Sequence, residues 1–404
     1  MTKELHKISV LYFSNSFVRG GAEEHILTLL RHLDRKRFQL SFMCPPECAR
    51  QLGSDVPADV DLYPVSFQRP YHVRGAYQLH RLLKQKNIGI LHSHLFGASL
   101  AASPIGCLAG VPVIIETPHV REGWRRGFIK GSYFVDRMMS NFVDHFIAVS
   151  AANSRYLIED KKLPGNKVHV IYNGCDLQKF RPLRPLGSNL RASLGFSEQD
   201  PVLMTLGRLE PQKGHRYLLE AFAIVRREFP TARLVCIGEG SLRNELVETC
   251  RQLQMTDNVR FIGFQSNIPE WLAISDFTVL SSLYEGLPLV AIESLAAERP
   301  VVATRADGSA EIVINEETGL TVPPANVPEL ATAIARMLRD PQFRDRLARA
   351  GRQRVTDYFS QEQQIKKTQE LYMLAWETLA IRRGRIRPAG DGTCVESAIQ
   401  VQDN

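Results

Sequence analysis

Short apolar segments alternate with longer amphipathic segments along the chain, and the series runs twice. In the first half, KISVLYFS is followed by GGAEEHILTLLRHL, and IGILHSHL by GASLAASPIGCLAG. Strand-like runs that alternate with helical patterns are typical of a parallel sheet covered by helices. The alternation restarts at PVLMTLGRL, RYLLEAFAIVRREF and ARLVCIGEG. The pattern therefore predicts an α/β protein with two Rossmann-like domains.

A polar, proline-containing stretch, CDLQKFRPLRPLGSNLRASLGFSEQD, separates the two series. We place an N-terminal domain at residues 1–180, a linker at 181–200 and a C-terminal domain at 201–360. A helix over 361–383 is expected to pack back on the N-terminal domain, and the aperiodic residues 384–404 are expected to be disordered. Because open parallel sheets bind ligands at the carboxyl ends of their strands, we expect a cleft between the domains.

Charge is distributed unevenly over the 404 residues. The net charge is +7, and residues 1–180 contain 23 Lys+Arg and 15 Asp+Glu, so the excess lies in the first half. A basic half suits an anionic membrane, a phosphorylated substrate or simply a basic surface. A nucleic-acid-binding module would be basic in its second half as well, so we expect no nucleic-acid partner.

The cysteine pattern and the start of the chain indicate a cytoplasmic protein. The seven cysteines form no paired C-x-x-C sets, which predicts free thiols in a reducing compartment rather than a disulfide framework or a zinc site. The chain opens directly on a strand pattern without signal-peptide features, and no apolar run approaches the ~18 residues of a membrane span.

The segment SLYEGLPLVAIESL places two glutamates on either side of a predicted helix start. Pro288 suits the first turn, and the backbone N–H groups of 286–290 would form an anion site at a strand end. Glu285 and Glu293 would then accept hydrogen bonds from sugar or ribose hydroxyls. Alternatively, Glu285 caps the helix and Glu293 lies on a solvated face, and these residues alone leave both interpretations open.

The segment TLGRLEPQKGH follows the first strand of the second series. It places Arg208 and Lys213 on one short loop at a strand end, where two cations would neutralise a diphosphate. Two solvated loop charges are the alternative.

In the first half, SNSFVRGGAEEH places Gly20 and Gly21 between a strand and a helix, where the backbone can approach a ligand closely. The segment is not a G-x-G-x-x-G motif, so it gives little support to dinucleotide binding. VIIETPHV places His119 just past a strand end, where it would bond a sugar hydroxyl or act on a proton.

Two further pairs of residues have the composition of metal ligands. His92 and His94 in LHSHLF lie on one face of a strand, and we expect them to line the cleft or the core. Asp59 and Asp61 form a D-x-D in a polar loop, for which the metal interpretation is the less favoured one.

Together these motifs resemble those of the retaining GT-B glycosyltransferases of family 4 (glycosyl transferase group 1), over roughly residues 7–375. The most specific element is the E-x7-E from Glu285 to Glu293. Supporting segments in the same order along the chain are GGAEEH, TPHV, AVSAANSRYL, VIYNGCDLQKFRP, GRLEPQKG and CIGEGSLRNEL. The resemblance implies the GT-B fold, with an N-terminal domain that binds the acceptor and a C-terminal domain that binds a nucleotide sugar across a central cleft.

The resemblance also implies roles for particular residues. Arg208 and Lys213 would hold the donor diphosphate, Glu293 the ribose hydroxyls and Glu285 the transferred sugar. His119, Glu285, Arg208 and Lys213 form the implied catalytic set. The implied donor-binding set is Gly21, Arg208, Lys213, Gly238, Phe264, Glu285, Gly286, Leu287, Pro288, Leu289 and Glu293.

The implied reaction is transfer of a hexose from a UDP- or GDP-linked donor to a hydroxyl of a lipid-linked or lipopolysaccharide-type glycan, with retention at the anomeric carbon. The leaving phosphate would accept the proton, and neither a cofactor nor a metal would be required. Three alternatives remain: a sugar-nucleotide epimerase, a non-catalytic nucleotide-sugar-binding module, and a two-carboxylate glycoside hydrolase, which would have no use for the two cations.

Residues 119–139 interleave basic and aromatic side chains, among them Trp124, Arg125, Arg126 and Lys130. Such a stretch beside the cleft suits the acceptor and an anionic membrane surface, so a peripheral position at the inner face of the cytoplasmic membrane is a candidate location. An ordinary helix with a charged face is the alternative.

Overall fold

The computed structural model describes residues 7–67, 72–119, 121, 133–182 and 188–380. Within these residues, two separate parallel sheets follow one another along the chain, as the alternating pattern predicts. Their strands are short, and the central strands of each sheet are almost wholly buried, which is typical of parallel strands covered on both faces.

The first sheet has seven strands in the order β3-β2-β1-β4-β5-β6-β7. Its strands are β1 (Ile8–Ser14), β2 (Phe38–Cys44), β3 (Asp61–Pro64), β4 (Ile90–His94), β5 (Val113–Thr117), β6 (His145–Ala148) and β7 (Val168–Val170). The helices between them are α1 (Gly21–His32), α2 (Pro46–Leu52), α3 (Val73–Gln85), α4 (Phe96–Ala109), α5 (Tyr133–Met139) and α6 (Ala151–Arg155). The strand order reverses at β1 and β4, which is the switch point where such sheets bind ligands.

The second sheet has six strands in the order β10-β9-β8-β11-β12-β13. Its strands are β8 (Val202–Leu206), β9 (Arg233–Ile237), β10 (Val259–Gly263), β11 (Phe277–Leu280), β12 (Val301–Thr304) and β13 (Gly319–Val322). The accompanying helices are α7 (Ser188–Ser193), α8 (His215–Val225), α9 (Arg243–Gln252), α10 (Ile268–Ile274), α11 (Leu289–Ala296), α12 (Ser309–Ile312), α13 (Val327–Arg339), α14 (Pro341–Tyr358) and α15 (Gln361–Ala375). The corresponding switch point lies between β8 and β11.

Several short helical turns complete the described elements. The 3₁₀ turns are Gly53–Asp55, Ser140–Phe142, Gly165–Lys167 and Pro211–Lys213. The π-helical turns are Tyr156–Asp160 and Trp376–Ala380.

Three short elements were not predicted from the pattern. The segment around Asp61 was predicted as a polar loop, but Asp61–Pro64 forms β3, an edge strand that is partly exposed. Helix α7 lies inside the stretch that was predicted as a linker. Strand β13 went unrecognised because it contributes only the four residues GLTV. The predicted domain boundaries themselves stay a prediction.

Helix α15 packs against the first sheet although it follows the second sheet in the chain. Ile365, Leu371 and Tyr372 belong to the same buried cluster as Val10 and Tyr12 of β1. The hydroxyl groups of Tyr12 and Tyr372 lie 2.9 Å apart inside this cluster. The chain therefore returns to the first sheet through buried apolar contacts and a buried hydrogen bond.

The carboxyl edges of the two sheets face each other. Beyond β6, the Ser150 hydroxyl donates a hydrogen bond of 3.0 Å to the carbonyl of Gly286, which lies beyond β11. The N–H groups of Ala151 and Ala152 at the start of α6 donate to the Glu311 carboxylate at 2.9 and 2.7 Å. These contacts bring together the loops in which the sequence places its candidate residues.

Candidate active site

Lys213 and Glu285 form an ion pair at the carboxyl edge of the second sheet. The distance from Lys213 Nζ to Glu285 Oε1 is 2.5 Å, and the Ser282 hydroxyl donates to the same oxygen at 2.6 Å. The Glu285 side chain is 6% exposed and that of Lys213 is 20% exposed. The pair is thus held rigidly by its surroundings, and the second glutamate oxygen remains for another ligand.

Hydrogen bonds join the loop of Lys213 to the loop of Glu285 along their length. The Ser281 hydroxyl donates to the Lys213 carbonyl at 3.0 Å, and the Gln212 amide donates to the Tyr284 carbonyl, also at 3.0 Å. Arg208 lies at the end of β8, is exposed, and contacts Gln212 at 3.4 Å. The two motifs that the sequence analysis paired therefore form one surface.

The start of α11 follows directly after Glu285. The helix begins at Leu289 with Pro288 as its N-cap residue, so the proline lies one position earlier than predicted. No side chain caps this end, so the structure does not support Glu285 as a helix cap. Leu287 is buried in the core beneath the turn. An uncapped helix start presents free N–H groups and a positive dipole end, which is the requirement for an anion site.

Glu293 lies one helical turn into α11 and is partly buried. Its carboxylate forms no hydrogen bond or ion pair with any residue that the structure describes. Burial raises the pKa of Glu293 to about 7, and the positive charge of Lys179 opposes the rise only in part. A half-buried carboxylate without a partner is costly for the fold, so this position favours a ligand over a purely structural role.

Gly21 is the first residue of α1 and lies opposite α11. A Cβ atom at this position would lie 3.9 Å from Leu289 Cδ1, so the β1–α1 loop of the first sheet borders the start of α11. The side chain that holds this loop was not predicted: Glu23 accepts hydrogen bonds from the Gly20 N–H and the Ser14 hydroxyl, each at 3.0 Å. The S/T-x-x-E capping rule could not find it because the cap position is a glycine.

Gly238 and Phe264 lie at the ends of neighbouring strands. The Gly238 N–H donates to the Gly263 carbonyl at 2.9 Å, and a Cβ atom at Gly238 would overlap the carbonyl oxygen of Gly207, which precedes Arg208. Phe264 follows Gly263 and is 65% exposed, so its ring is accessible to a ligand.

His119 is a candidate site residue that belongs to the first sheet. It lies just beyond β5 and is 7% exposed. A Cβ atom at Gly286 would overlap the carbonyl oxygen of His119, so only glycine permits this approach of the two loops. His119 Nε2 lies 2.9 Å from His94 Nδ1. His92 and His94 are both fully buried, in agreement with the expectation that they line the cleft or core.

The D-x-D carboxylates take part in separate surface ion pairs. Asp59 binds Arg35 at 2.5 Å, and Asp61 binds Lys86 at 3.1 Å. Throughout the described part of the chain, no group of three or more His, Cys, Asp or Glu side chains has the arrangement of a metal site.

Trp124, Arg125, Arg126 and Lys130 lie outside the described residues, as does the tail 384–404. Next to that segment, Phe134, Val135 and Met138 of α5 are exposed. None of the described helices is both long and apolar enough to cross a membrane. The six cysteines in the described ranges are free thiols, as predicted.

Comparison with known proteins places these features in a family. The family model for "Glycosyl transferases group 1" matches residues 188–354, and that for "Glycosyltransferase Family 4" matches residues 19–179. The Mycobacterium tuberculosis glycogen synthase is 30% identical over 319 residues, which are 77% of this chain and 73% of the relative. An Escherichia coli UDP-Gal:alpha-D-GlcNAc-diphosphoundecaprenol alpha-1,3-galactosyltransferase is 26% identical over 307 residues, 74% of this chain and 79% of the relative.

Among solved structures, Anabaena HepE in complex with UDP-glucose superposes with a TM-score of 0.81 at 21% identity, covering 91% of this chain and all of that chain. The fold is that of the GT-B glycosyltransferases. The chain belongs to glycosyltransferase family 4.

Proposed function

We propose that this glycosyltransferase moves a hexose from a UDP- or GDP-linked donor to a hydroxyl of a lipid-linked or lipopolysaccharide-type glycan, with retention of anomeric configuration. The observation that carries the proposal is the Lys213–Glu285 pair at the uncapped start of α11, one helical turn before Glu293. A cation and free N–H groups are suited to a diphosphate, and a carboxylate without a partner is suited to the hydroxyl groups of a ribose.

In the proposed donor complex, Arg208, Lys213 and the backbone N–H groups of 286–289 bind the diphosphate. Arg208 is exposed, and among the described residues its side chain forms only a long contact with Gln212, so it can turn towards a phosphate at little cost. Glu293 accepts hydrogen bonds from the ribose hydroxyls, which supply the partners that it lacks in the free protein. Phe264 stacks on the base, and the loop at Gly21 closes over the phosphates.

The proposed transfer takes place on one face of the sugar. The bond between the anomeric carbon and the diphosphate oxygen breaks, the acceptor oxygen attacks from the same side, and the leaving phosphate oxygen takes the acceptor's proton. Glu285 is already engaged by Lys213 and Ser282, which suits an orienting contact with the sugar. Because two cations and a helix N-terminus stabilise the leaving group, we propose that no metal ion is needed.

The acceptor and the location are proposed from two observations. The E. coli relative is named for a diphosphoundecaprenol-linked acceptor. In this chain, the exposed apolar residues Phe134, Val135 and Met138 lie at the end of the basic, aromatic stretch 119–139. Basic and apolar side chains side by side suit an anionic membrane surface, so we propose a peripheral position at the inner face of the cytoplasmic membrane.

The test is a product analysis with UDP-, GDP-, ADP- and CMP-sugars and a lipid-diphosphate-linked acceptor, with and without a metal chelator. We expect transfer from one donor, an unchanged anomeric configuration by proton NMR, and full activity in the chelator. An inverted product would refute retention, and activity lost in the chelator would refute metal independence. Free sugar released without acceptor would favour an epimerase, and binding without turnover would favour a non-catalytic module.

A further inference from the structure

Four histidine side chains pack together beneath the cleft. His25 comes from α1, His92 and His94 from β4, and His119 from the loop beyond β5; all four are buried. The ring centroids of His25 and His119 are 4.9 Å apart, and the rings of His94 and His119 stack with their planes within 24°. His119 is the most exposed of the four at 7%, and the other three pack around its ring.

Burial fixes the protonation of these rings. It lowers the pKa of His25 to about 4 and lowers the pKa values of His92, His94 and His119 well below their usual range. Each ring is therefore neutral near pH 7 and has one N–H and one lone pair. The 2.9 Å contact between His94 Nδ1 and His119 Nε2 accordingly contains a single proton, which belongs to one ring or to the other.

The far side of the His94 ring decides between the two arrangements. His94 Nε2 is buried and has no hydrogen-bond partner in the described part of the chain. If His119 donated, the proton of His94 would reside on Nε2 as a buried N–H without an acceptor. If His94 donates from Nδ1, its Nε2 has only a lone pair without a donor. A buried N–H without an acceptor is rarer in native structures than a buried acceptor without a donor, so donation by His94 is favoured.

We infer that His94 is a positioning residue for sugar transfer: it donates Nδ1–H to His119 Nε2 and so holds His119 in the tautomer that bears its own proton on Nδ1. That Nδ1 has no partner among the described residues. His119 thus offers an N–H to an oxygen of the bound sugar and acts as a donor rather than a base. The inference rests on the proposed function and adds a residue to its machinery.

Contacts from the C-terminal helix keep His94 in place. The Tyr372 hydroxyl of α15 lies 2.5 Å from His92 Nδ1, and His92 Nε2 lies 2.7 Å from the Thr117 hydroxyl. His92 is therefore fixed at both nitrogens, and its ring centroid is 4.2 Å from that of His94. A ring packed this closely against a fixed neighbour cannot turn over, so the donating nitrogen of His94 stays directed at His119.

Two substitutions that remove the same ring test the inference. In His94→Asn, the side-chain amide lies one bond beyond Cγ, as Nδ1 does, and can still donate to His119. In His94→Gln, the amide lies one bond further out and cannot. We expect His94→Gln to lower kcat tenfold to hundredfold and His94→Asn to stay within about threefold of the wild type. The affinity for the free nucleoside diphosphate, which His119 does not touch, is expected to be unchanged in both.

A second comparison separates positioning from general damage. In a His119→Ala background, adding His94→Gln is expected to cause no further loss of kcat, because His94 acts only through His119. Nitrogen-15 spectra of labelled histidine side chains report the tautomer directly. We expect His119 to be protonated at Nδ1 in the wild type and in His94→Asn, and to lose this preference in His94→Gln.

Different results would overturn the role of His94 and the proposed transferase function. Wild-type rates in His94→Gln, a further loss in the His119→Ala background, or an Nε2-protonated His119 would each overturn the role of His94 while leaving the transferase intact. A wild-type protein that transfers no sugar from any donor would overturn the proposed function, and the role of His94 with it.

Discussion

Replacing Glu293 with Gln distinguishes the effect of the carboxylate on the stability of the fold from its effect on donor binding. The folded pKa of Glu293 is raised from 4.5 to about 7 by burial. Ionisation therefore costs the folded state free energy: the cost is absent below the unfolded pKa, grows as the pH rises, and is complete above the folded pKa. The difference between the two pKa values, at about 1.4 kcal/mol per pH unit, sets an upper limit of about 3.5 kcal/mol.

Glutamine has the shape of the neutral glutamate, so Glu293→Gln is expected to be more stable than the wild type at pH 8 and equally stable near pH 4. At about 2–4 °C per kcal/mol, the gain at pH 8 is at most about 14 °C in the unfolding temperature. The same variant is expected to bind the nucleotide sugar about 10–100-fold more weakly, because charge-assisted hydrogen bonds to the ribose are lost.

Thermal unfolding and donor titration at pH 4, 6 and 8 measure both effects. Glu317 is exposed, pairs with no described residue and provides a matched control, since Glu317→Gln should change neither quantity. Equal stability of Glu293→Gln and the wild type at every pH would show that the carboxylate already has a partner in the free protein. Undiminished donor affinity would show that it does not touch the ribose.

Three further predictions concern the cleft and the membrane. Arg208→Ala and Lys213→Ala should each cost on the order of 2–4 kcal/mol in kcat/KM with the donor, and normal turnover in both would refute their role. Gly286→Ala should weaken donor binding at least tenfold by forcing the two loops apart, whereas Gly97→Ala, in open space, should not; titration of both variants checks this. The protein should sediment with anionic liposomes and not neutral ones, and failure to do so would remove residues 119–139 as a membrane contact.

The positions of the candidate donor residues at strand ends and at a helix start could be predicted because these residues lie in short, contiguous segments. Arg208 and Lys213 follow one strand, and Glu285 and Glu293 flank one helix start, so local pattern and the position of strand ends were sufficient. The ion pair between Lys213 and Glu285 was not predicted, since it joins segments 72 positions apart. Sequence spacing gives the face of a strand, but it does not determine which loops meet across a sheet edge.

The histidine cluster shows the same limit more strongly. LHSHLF indicates that His92 and His94 share a face of a strand, and the structure agrees. The same face is also reached by His25, His119 and Tyr372. This depends on folding, which brings β1, β5 and α15 together. The contact between Tyr12 and Tyr372 spans 360 positions. No periodicity or motif encodes such a contact, because it arises from the packing of whole elements.

The most direct test of the central claim is the thermal stability of the wild type and Glu293→Gln with UDP-, GDP-, ADP- and CMP-sugars at pH 8. A donor at ~100 times its dissociation constant should add about 2.7 kcal/mol to the folded wild type. We expect one nucleotide sugar to raise the unfolding temperature of the wild type clearly and that of Glu293→Gln much less. No shift with any donor, or an equal shift in both proteins, would contradict the assignment of this cleft as the donor site.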